Sequence, residues 1–314
     1  MREAVPAVLA GERVDRVVSL LTGISRSSVA TLVADGRVHV DGAPASRAQR
    51  LAAGQVVEVG DEFLGDRAGA PSTPLAPDPS VEFAVVHEDD SLVVVDKPAG
   101  LVVHPGAGHI SGTLVHGLLA RYPDVAAVGD AERPGLVHRL DKGTSGLMVV
   151  ARTVAAFEAL SSQVRAHSMS RRYLALVWGL VEADRGLIDA PIGRSDRTPL
   201  RQAVSAGGRE ARTRYEVLAR WGTPDRTLVE CYLDTGRMHQ IRVHLAAIGH
   251  ALVGDPGYRG ARQGFGEELG RPFLHAWRLG FRHPATSLPA SFASPLPTDL
   301  LNLLPEGVDL PSRM

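Results

Sequence analysis

The chain contains one cysteine, Cys231, in 314 residues. That excludes an intrachain disulfide and any cysteine-rich metal site. Cys231 alternates with Val229 and Leu233, a spacing that predicts a buried, inert thiol on a core-facing strand rather than a nucleophile. Aromatic residues make up only 5%, so the core must be built mainly from Val, Leu and Ala. Lysine is nearly missing: Lys97 and Lys142 are the only two, and the remaining basic residues are arginine. No apolar run approaches the roughly 20 residues that cross a bilayer. Met1 to Leu9 lacks the apolar centre of a signal peptide, so the cytoplasm is the expected compartment. A strong net charge is lacking too: the formal value is −1, which removes any global signature of a polyanion binder. Lys142-Gly-Thr-Ser-Gly146 has neither the glycine spacing nor the following lysine of a phosphate loop or dinucleotide fingerprint.

What is present is a soluble globular composition, 44% hydrophobic and 22% charged. The length suits one large domain and one small one. Charge is distributed unevenly. Pro134 to Arg172 carries six Arg or Lys against two acids, and Arg194 to Arg220 seven Arg against three. Arginine binds phosphate bidentately and stacks on bases.

The centre of the chain is Pro134 to Arg152. Leu147 to Ala151 is a continuous apolar run, which predicts a strand buried on both faces. Before it, Gly143 to Gly146 is turn chemistry. Before that, His138, Arg139 and Asp141 place three ionisable groups on a loop carried by a stiff strand, where catalytic groups are often found. Arg139 and Lys142 flank the lone carboxylate. An aspartate capping a turn, with its arginine on the surface, would give the same spacing.

His138-Arg139-Leu140-Asp141-Lys142-Gly143-Thr144-Ser145-Gly146-Leu147 resembles the signature loop of the RluA-type pseudouridine synthases. The resemblance implies that Asp141 is the essential catalytic carboxylate and that Arg139 helps to flip the target uridine, with His138 beside them at the substrate. Members commonly carry an acidic residue where this chain has Gly143. Lys97-Pro-Ala-Gly-Leu-Val-Val-His104 is similar to a second recurring segment of the family. Arg171-Arg-Tyr-Leu-Ala-Leu-Val-Trp178 alternates as a strand, with Tyr173, Ala175 and Val177 on one face. On its own, Tyr173 reads as a packed core tyrosine; the resemblance makes it an active-site residue. Thr235-Gly-Arg237-Met-His-Gln-Ile-Arg242-Val-His-Leu245 resembles the third motif, which implies that Arg242 pairs with Asp141 and that Arg237 contacts substrate. Met238 stands where members carry a small hydroxyl residue. Periodicity predicts a helix here with Ile241, Leu245 and Ile248 inward and Arg242 at the edge of that face, ended by Gly249.

The N-terminal part, residues 1–60, resembles an S4 RNA-binding domain. Val14, Val17, Val18 and Leu21 predict one helix. Ser25 is the expected N-cap of a second, with Val29, Leu32 and Val33 inward. Val38, Val40 and the turn Asp41-Gly42 begin a hairpin, and residues 54–59 a closing strand. The resemblance puts Arg26 and Arg37 at RNA. Arg13, Arg16, Arg47 and Arg50 add to a cationic surface facing only Asp15, Asp35 and Asp41. Residues 61–80 are rich in Pro and Gly and predict a linker, and 81–314 form the catalytic domain. Residues 193–212 read as a surface insertion, and the Pro-rich tail from Pro284 as a wrapping segment.

The expected fold is therefore α+β: a mixed, largely antiparallel sheet of the pseudouridine synthase type, with a small S4-like domain before it. The architecture is similar to the RluD type within the family. This implies a monomeric enzyme that isomerises uridines in large-subunit ribosomal RNA, breaking the N1–C1′ bond and rejoining the base through C5. The reaction changes no oxidation state, so no cofactor and no metal is expected. His104, His109 and His116 match no compact ligand spacing. Asp141 would either attack C1′ or remove the 2′ proton. A carboxylate glycosidase would require a second acid, for which Glu132 is the nearby candidate. A non-catalytic RNA-binding protein would leave Asp141, Tyr173 and Arg242 without a shared role.

Overall fold

The computed structural model describes residues 1–22, 26–46, 48–60, 75–106, 109–195, 198, 201–308 and 310. The chain divides into two compact units, Met1–Pro74 and Leu75–Met314.

In the smaller unit, helices Val14–Thr22 and Arg26–Ala34 lie on a four-stranded sheet of order β1-β4-β2-β3, where β1 is Arg2–Ala4, β2 Val38–Val40, β3 Ala43–Pro44 and β4 Val56–Val59. Val14, Val17 and Val18 from one helix meet Val29, Leu32 and Val33 from the other over Val38, Val40 and Val57. The helical and alternating periods of the sequence thus converge on one core. Asp41 and Gly42 both have positive φ, 51° and 79°, as the two-residue hairpin turn requires. The expected cap Ser25 lies outside the described residues, as do Arg47 and most of the expected linker. Asp78, at the linker's far end, bonds through its amide to the His116 carbonyl at 2.9 Å and so belongs to the larger unit.

The larger unit is built on a nine-stranded sheet. Its strands are β5 (Ala84–Glu88), β6 (Leu92–Lys97), β9 (Ser145–Ala151), β10 (Ser170–Trp178), β11 (Arg185–Asp189), β14 (Arg212–Trp221), β15 (Arg226–Leu233), β16 (Leu274–Arg282) and β17 (Pro289–Ala293). Two short pairs stand outside it: β7 (Gly129–Asp130) with β8 (Arg133–Pro134), and β12 (Ile192–Arg194) with β13 (Gln202–Val204). The order is β11-β14-β15-β10-β16-β9-β6-β5, with β17 paired to β16. Every pairing is antiparallel except β16 with β9. The mixed, largely antiparallel α+β fold is as the sequence suggests.

Alternation sorts the side chains between two faces. Val93, Val95, Met148, Val150, Tyr173, Ala175, Val177, Val229 and Cys231 share one face with helices Leu114–Arg121 and Gln240–Ala247. On the other face, Leu92, Val94, Leu147, Val149 and Ala151 receive helix Val154–Arg165 through Ala156 and Leu160, while Leu176 and Trp178 receive Leu300 from the tail. All seven residues of β9 are buried. Thr153 caps the Val154–Arg165 helix by accepting the Ala156 amide at 3.2 Å.

Three sequence expectations are corrected. The Gln240–Ala247 helix is buried over Gln240 to Leu245, with Arg242 inside rather than at an edge, and Ile248 is 41% exposed. Its outer side is covered by the β12–β13 hairpin, so residues 193–212 are not a bare insertion, and Ile192 and Ala211 pack on Val243. The tail wraps as expected, yet its first part adds a strand, β17.

Candidate active site

Residues 138–146 run into β9 at the only parallel pairing of the sheet. Gly146 has φ 116°, and a Cβ there would lie 2.3 Å from the Ala276 carbonyl oxygen, so only glycine lets the loop enter the strand at this point. Gly143 carries no side chain for a spatial reason: a Cβ would meet the Pro272 ring at 2.9 Å.

The loop is pinned from several sides. Lys97, fully buried, donates from Nζ to the carbonyls of Pro98 and Leu101, both at 2.8 Å. Burial pulls its pKa down to about 7, against the opposing pull of the Asp141 charge. The Gly100 amide donates to the Lys142 carbonyl at 2.7 Å. Arg271 Nη1 donates to the Gly143 carbonyl at 3.3 Å, and Ser145 Oγ bonds His275 Nδ1 at 3.0 Å. His138 Nε2 accepts the Val149 amide at 3.1 Å. That bond fixes the proton on Nδ1, and burial, followed by the Arg171 charge, lowers the ring's pKa to about 3. His138 therefore anchors the loop to β9 while its ring lines the cavity.

That cavity has a volume of about 500 Å³. Arg133, Arg139, Arg165, Arg171 and Arg237 line it with His104, His138, His167 and Tyr173. Asp141 is the sole carboxylate of the lining. Five guanidiniums around one acid make a site for a polyanion. Glu132 does not line it, so among the described residues the cavity presents no second carboxylate of the glycosidase kind.

Arg242 holds Asp141 from below. Its Nη1 is 3.4 Å from Asp141 Oδ2, across 101 positions of sequence. Its stronger engagement is with Asp255: Nε to Oδ2 and Nη2 to Oδ1, both at 2.8 Å, a bidentate fork on a carboxylate with no exposure at all. Burial disfavours the Arg242 cation, but the bonds and charge of Asp255 outweigh it and leave the pKa raised. Asp255 lies in the turn over residues 254–260. Its Oδ1 also accepts the Gly257 amide at 2.8 Å, so the turn closes on the same carboxylate that orients Arg242. The Tyr258 ring lies under the Arg242 guanidinium at 4.9 Å.

A chain of bonds reaches Asp141 from the side. The Gln202 amide donates to Tyr258 Oη at 3.1 Å, which leaves that hydroxyl to donate to His239 Nδ1 at 2.8 Å. The His239 proton is then on Nε2, 3.9 Å from Asp141 Oδ2. His239 has φ 58°, a left-handed conformation uncommon outside glycine and typical of strained functional positions.

Tyr173 is 4% exposed, opposite Cys231 on β15, and its ring faces the cavity. Its hydroxyl has no hydrogen-bond partner among the described residues. Burial raises its pKa to about 12, so it stays protonated. Arg139 lines the cavity with Nη1 3.4 Å from His104 Nε2. Arg237 donates from Nε to the Glu210 carbonyl at 2.8 Å and points its charge into the same space.

Arg171 was not singled out in the sequence. It is 7% exposed, donates to the Leu233 and Asp234 carbonyls at 3.4 Å, and has a buried Nε without a partner. No carboxylate pairs with it among the described residues. Gly236 makes room for it: a Cβ there would lie 2.8 Å from Arg171 Nη1. Its spacing of two from Tyr173 on one strand face was the available signal.

The smaller unit gives a different picture. Arg37 is exposed just beyond the second helix, while the Arg26 side chain lies outside the described residues. Arg13 is paired with Asp15 at 3.0 Å and Arg16 with Glu12 at 2.9 Å, and Arg50 donates to the Gly11 carbonyl at 2.7 Å. Three of the expected arginines are thus engaged inside the unit.

Among the described residues, no group of metal-ligating atoms close enough to share an ion forms at the cavity. His104, His109 and His116 bond to Arg139, Lys142 and Thr113. His87, Asp89 and His283 do cluster elsewhere. There, His283 Nδ1 accepts the amides of Ala285 and Thr286, so its proton sits on Nε2 and is donated to Asp89. That is a hydrogen-bonded carboxylate, which burial opposes but the bonds from His283, Ser91 and His87 hold at a pKa of about 2. Among the described residues no helix is long and apolar enough to cross a membrane.

Comparison with known proteins matches residues 91–247 to the family model described as RNA pseudouridylate synthase. The chain belongs to that family. The "Ribosomal large subunit pseudouridine synthase D" of Pseudomonas aeruginosa is 44% identical over 313 residues, covering 96% of this chain and 93% of that protein. An "Uncharacterized RNA pseudouridine synthase YlyB" of Bacillus subtilis is 40% identical over 294 residues, covering 93% of each. Among solved structures, the human RNA pseudouridylate synthase domain containing 1 superposes with a TM-score of 0.55 at 26% identity, covering 70% of this chain and 86% of that one. The synthase loop, the Tyr173 strand and the Arg242 helix all fall inside the matched family region.

Proposed function

We propose that this synthase converts uridines of large-subunit ribosomal RNA to pseudouridine, with Asp141 as the catalytic carboxylate. One observation carries the reading: the cavity presents a single carboxylate, oriented by Arg242, within a ring of guanidiniums suited to phosphates. The relatives named for the large ribosomal subunit support the choice of RNA. A uridine in a stem must leave its stack to reach Asp141. Arg139, on the loop beside it, fills the vacated space, and Tyr173 packs against the extruded base. The carboxylate acts at C1′ or at the 2′ proton, the N1–C1′ bond breaks, the base turns, and C5 bonds to C1′. The C5 proton then leaves and N1, freed from C1′, takes one up, which balances the isomerisation without a redox step. The smaller unit acts as an S4-like RNA-binding domain, with Arg26 and Arg37 toward RNA, and the protein works as a monomer in the cytoplasm.

The test incubates a large-subunit ribosomal RNA transcript with wild type and with Asp141→Asn, followed by mapping of pseudouridine. Wild type is expected to modify discrete uridines, and the variant to bind the RNA but leave it unmodified. Near-normal modification by the variant removes Asp141 from the chemistry; modification of transfer RNA alone by wild type removes the ribosomal assignment.

A further inference from the structure

A second cavity, about 490 Å³, opens between the β12–β13 hairpin, the end of the Gln240–Ala247 helix and the Gly254–Gly260 turn. Its floor is small and apolar: Ala203, Ala246, Ala247 and Ala251 among others. Arg201, Arg259 and Arg262 stand around it, and among the described residues no carboxylate lines it. None of the three arginines has an acidic partner among the described residues. The Arg262 guanidinium sits over the Trp178 ring, 4.5 Å from its centroid, a contact that uses none of its N–H donors. An apolar floor with a guanidinium rim matches one nucleotide: base or ribose on the floor, phosphates at the rim.

Two features join this cavity to the active site. Tyr258 lines it and forms the hydroxyl link between the Gln202 amide and His239 beside Asp141. Gly257 also lines it, and a Cβ there would lie 2.7 Å from Arg242 Nη2 and 3.2 Å from Asp255 Oδ1. The floor therefore backs directly onto the pair that orients Asp141.

We propose that this cavity is a second RNA subsite, which holds a nucleotide of the substrate other than the target uridine and clamps its phosphates with Arg201, Arg259 and Arg262. This rests on the reading of the chain as acting on RNA. The subsite supplies affinity and register, while chemistry stays at Asp141.

The test uses the full chain and a ribosomal RNA transcript as probe, with binding measured separately from modification. The double variant Arg201→Gln/Arg259→Asn removes two charges. Asn suits the positive φ of 63° at position 259, so the fold is retained. Loss of two phosphate contacts should raise Kd roughly tenfold and make the slope of log K against log salt shallower by about 1.5, with the rate at saturating RNA within twofold. Val204→Glu, at a position 43% exposed on the rim, puts a carboxylate there and should weaken binding further. Unchanged Kd and salt slope in both folded variants overturn the proposal, including the case in which the cavity serves a protein partner. Failure of wild type to modify the transcript, with the binding changes present, would instead overturn the enzymatic reading alone.

Discussion

Replacing Asp255 by Asn tests the central claim that Asp141 is held through Arg242. The substitution preserves shape and removes one charge. Asp255 is fully buried, and both its oxygens are committed to Arg242 at 2.8 Å. Breaking a buried ion pair leaves an uncompensated charge and costs about 3–5 kcal/mol. Asp141 remains 3.4 Å from Arg242 Nη1 and offsets part of that loss, so the lower end, about 3 kcal/mol, is expected. For a domain of this size that lowers Tm by roughly 6–12 °C. With its fork gone, Arg242 no longer approaches Asp141 from a fixed direction. A shift of about 1 Å in such a group costs on the order of a hundredfold in rate. Calorimetry of the full chain gives the first quantity, and tritium release from C5-labelled uridine under single turnover gives the second. Asp184→Asn is the control: its pair with Arg220 leaves the aspartate 83% exposed and should shift neither. A Tm within 2 °C of wild type, together with an unchanged rate, would refute the reasoning, because a buried bidentate pair that can be broken freely orients nothing.

Arg171→Met removes a buried cation that lacks a carboxylate partner. Tm should hold or rise while RNA affinity falls and the salt slope becomes shallower by about one contact's worth; a lower Tm with unchanged binding assigns Arg171 to the fold. His104 concerns pH. Burial, followed by the charges of Arg133 and Arg139, lowers its pKa from 6.5 to about 4, so unfolding takes up a proton between those values. The stability contributed is complete above pH 6.5 and is lost as pH falls toward about 4, at up to roughly 1.4 kcal/mol per unit. Between pH 7.5 and 5, wild type should therefore lose about 2 kcal/mol more than His104→Gln, measured by urea unfolding, and parallel losses would contradict the burial argument.

Most strands and helices were legible because their signals are local. Val14, Val17 and Val18 lie on one helix face whatever they pack against, and Tyr173, Ala175 and Val177 lie on one strand face. The run from Leu147 to Ala151 announces burial on both sides without reference to its neighbours. Amphipathicity failed where burial was total. The Gln240–Ala247 helix is covered on its outer side by a hairpin, so no polar stripe marks Arg242 as interior and Ile248 as exposed. The strand β17, with Pro289 and Ser291 among its five residues, carries a weak alternation and exists because the edge of β16 is available to it.

Charge was the least legible property, because a charge means nothing until its partner is known. Counting arginines in the smaller unit suggested a cationic face, but the count began at Arg13 and omitted Glu12, which pairs with Arg16 one turn away. In the larger unit the error ran the other way. Arg171 sat unnoticed two positions from Tyr173, although the lack of a paired carboxylate among the described residues is what makes it a candidate for phosphate. Asp255 lies in a turn and is the group that fixes Arg242, thirteen positions earlier. The family motifs hold Asp141, Tyr173 and Arg242; Asp255, which fixes Arg242, lies in a turn where periodicity says nothing. A motif thus identifies Asp141 and Arg242 as a pair, but only the tertiary fold shows that Arg242 is shared between two carboxylates and held more tightly by the buried one. The distances order the roles: Asp255 at 2.8 Å sets the position of the guanidinium, and Asp141 at 3.4 Å receives its remaining edge. An arginine so fixed can keep its direction if Asp141 changes partners, which a guanidinium bound to Asp141 alone could not do.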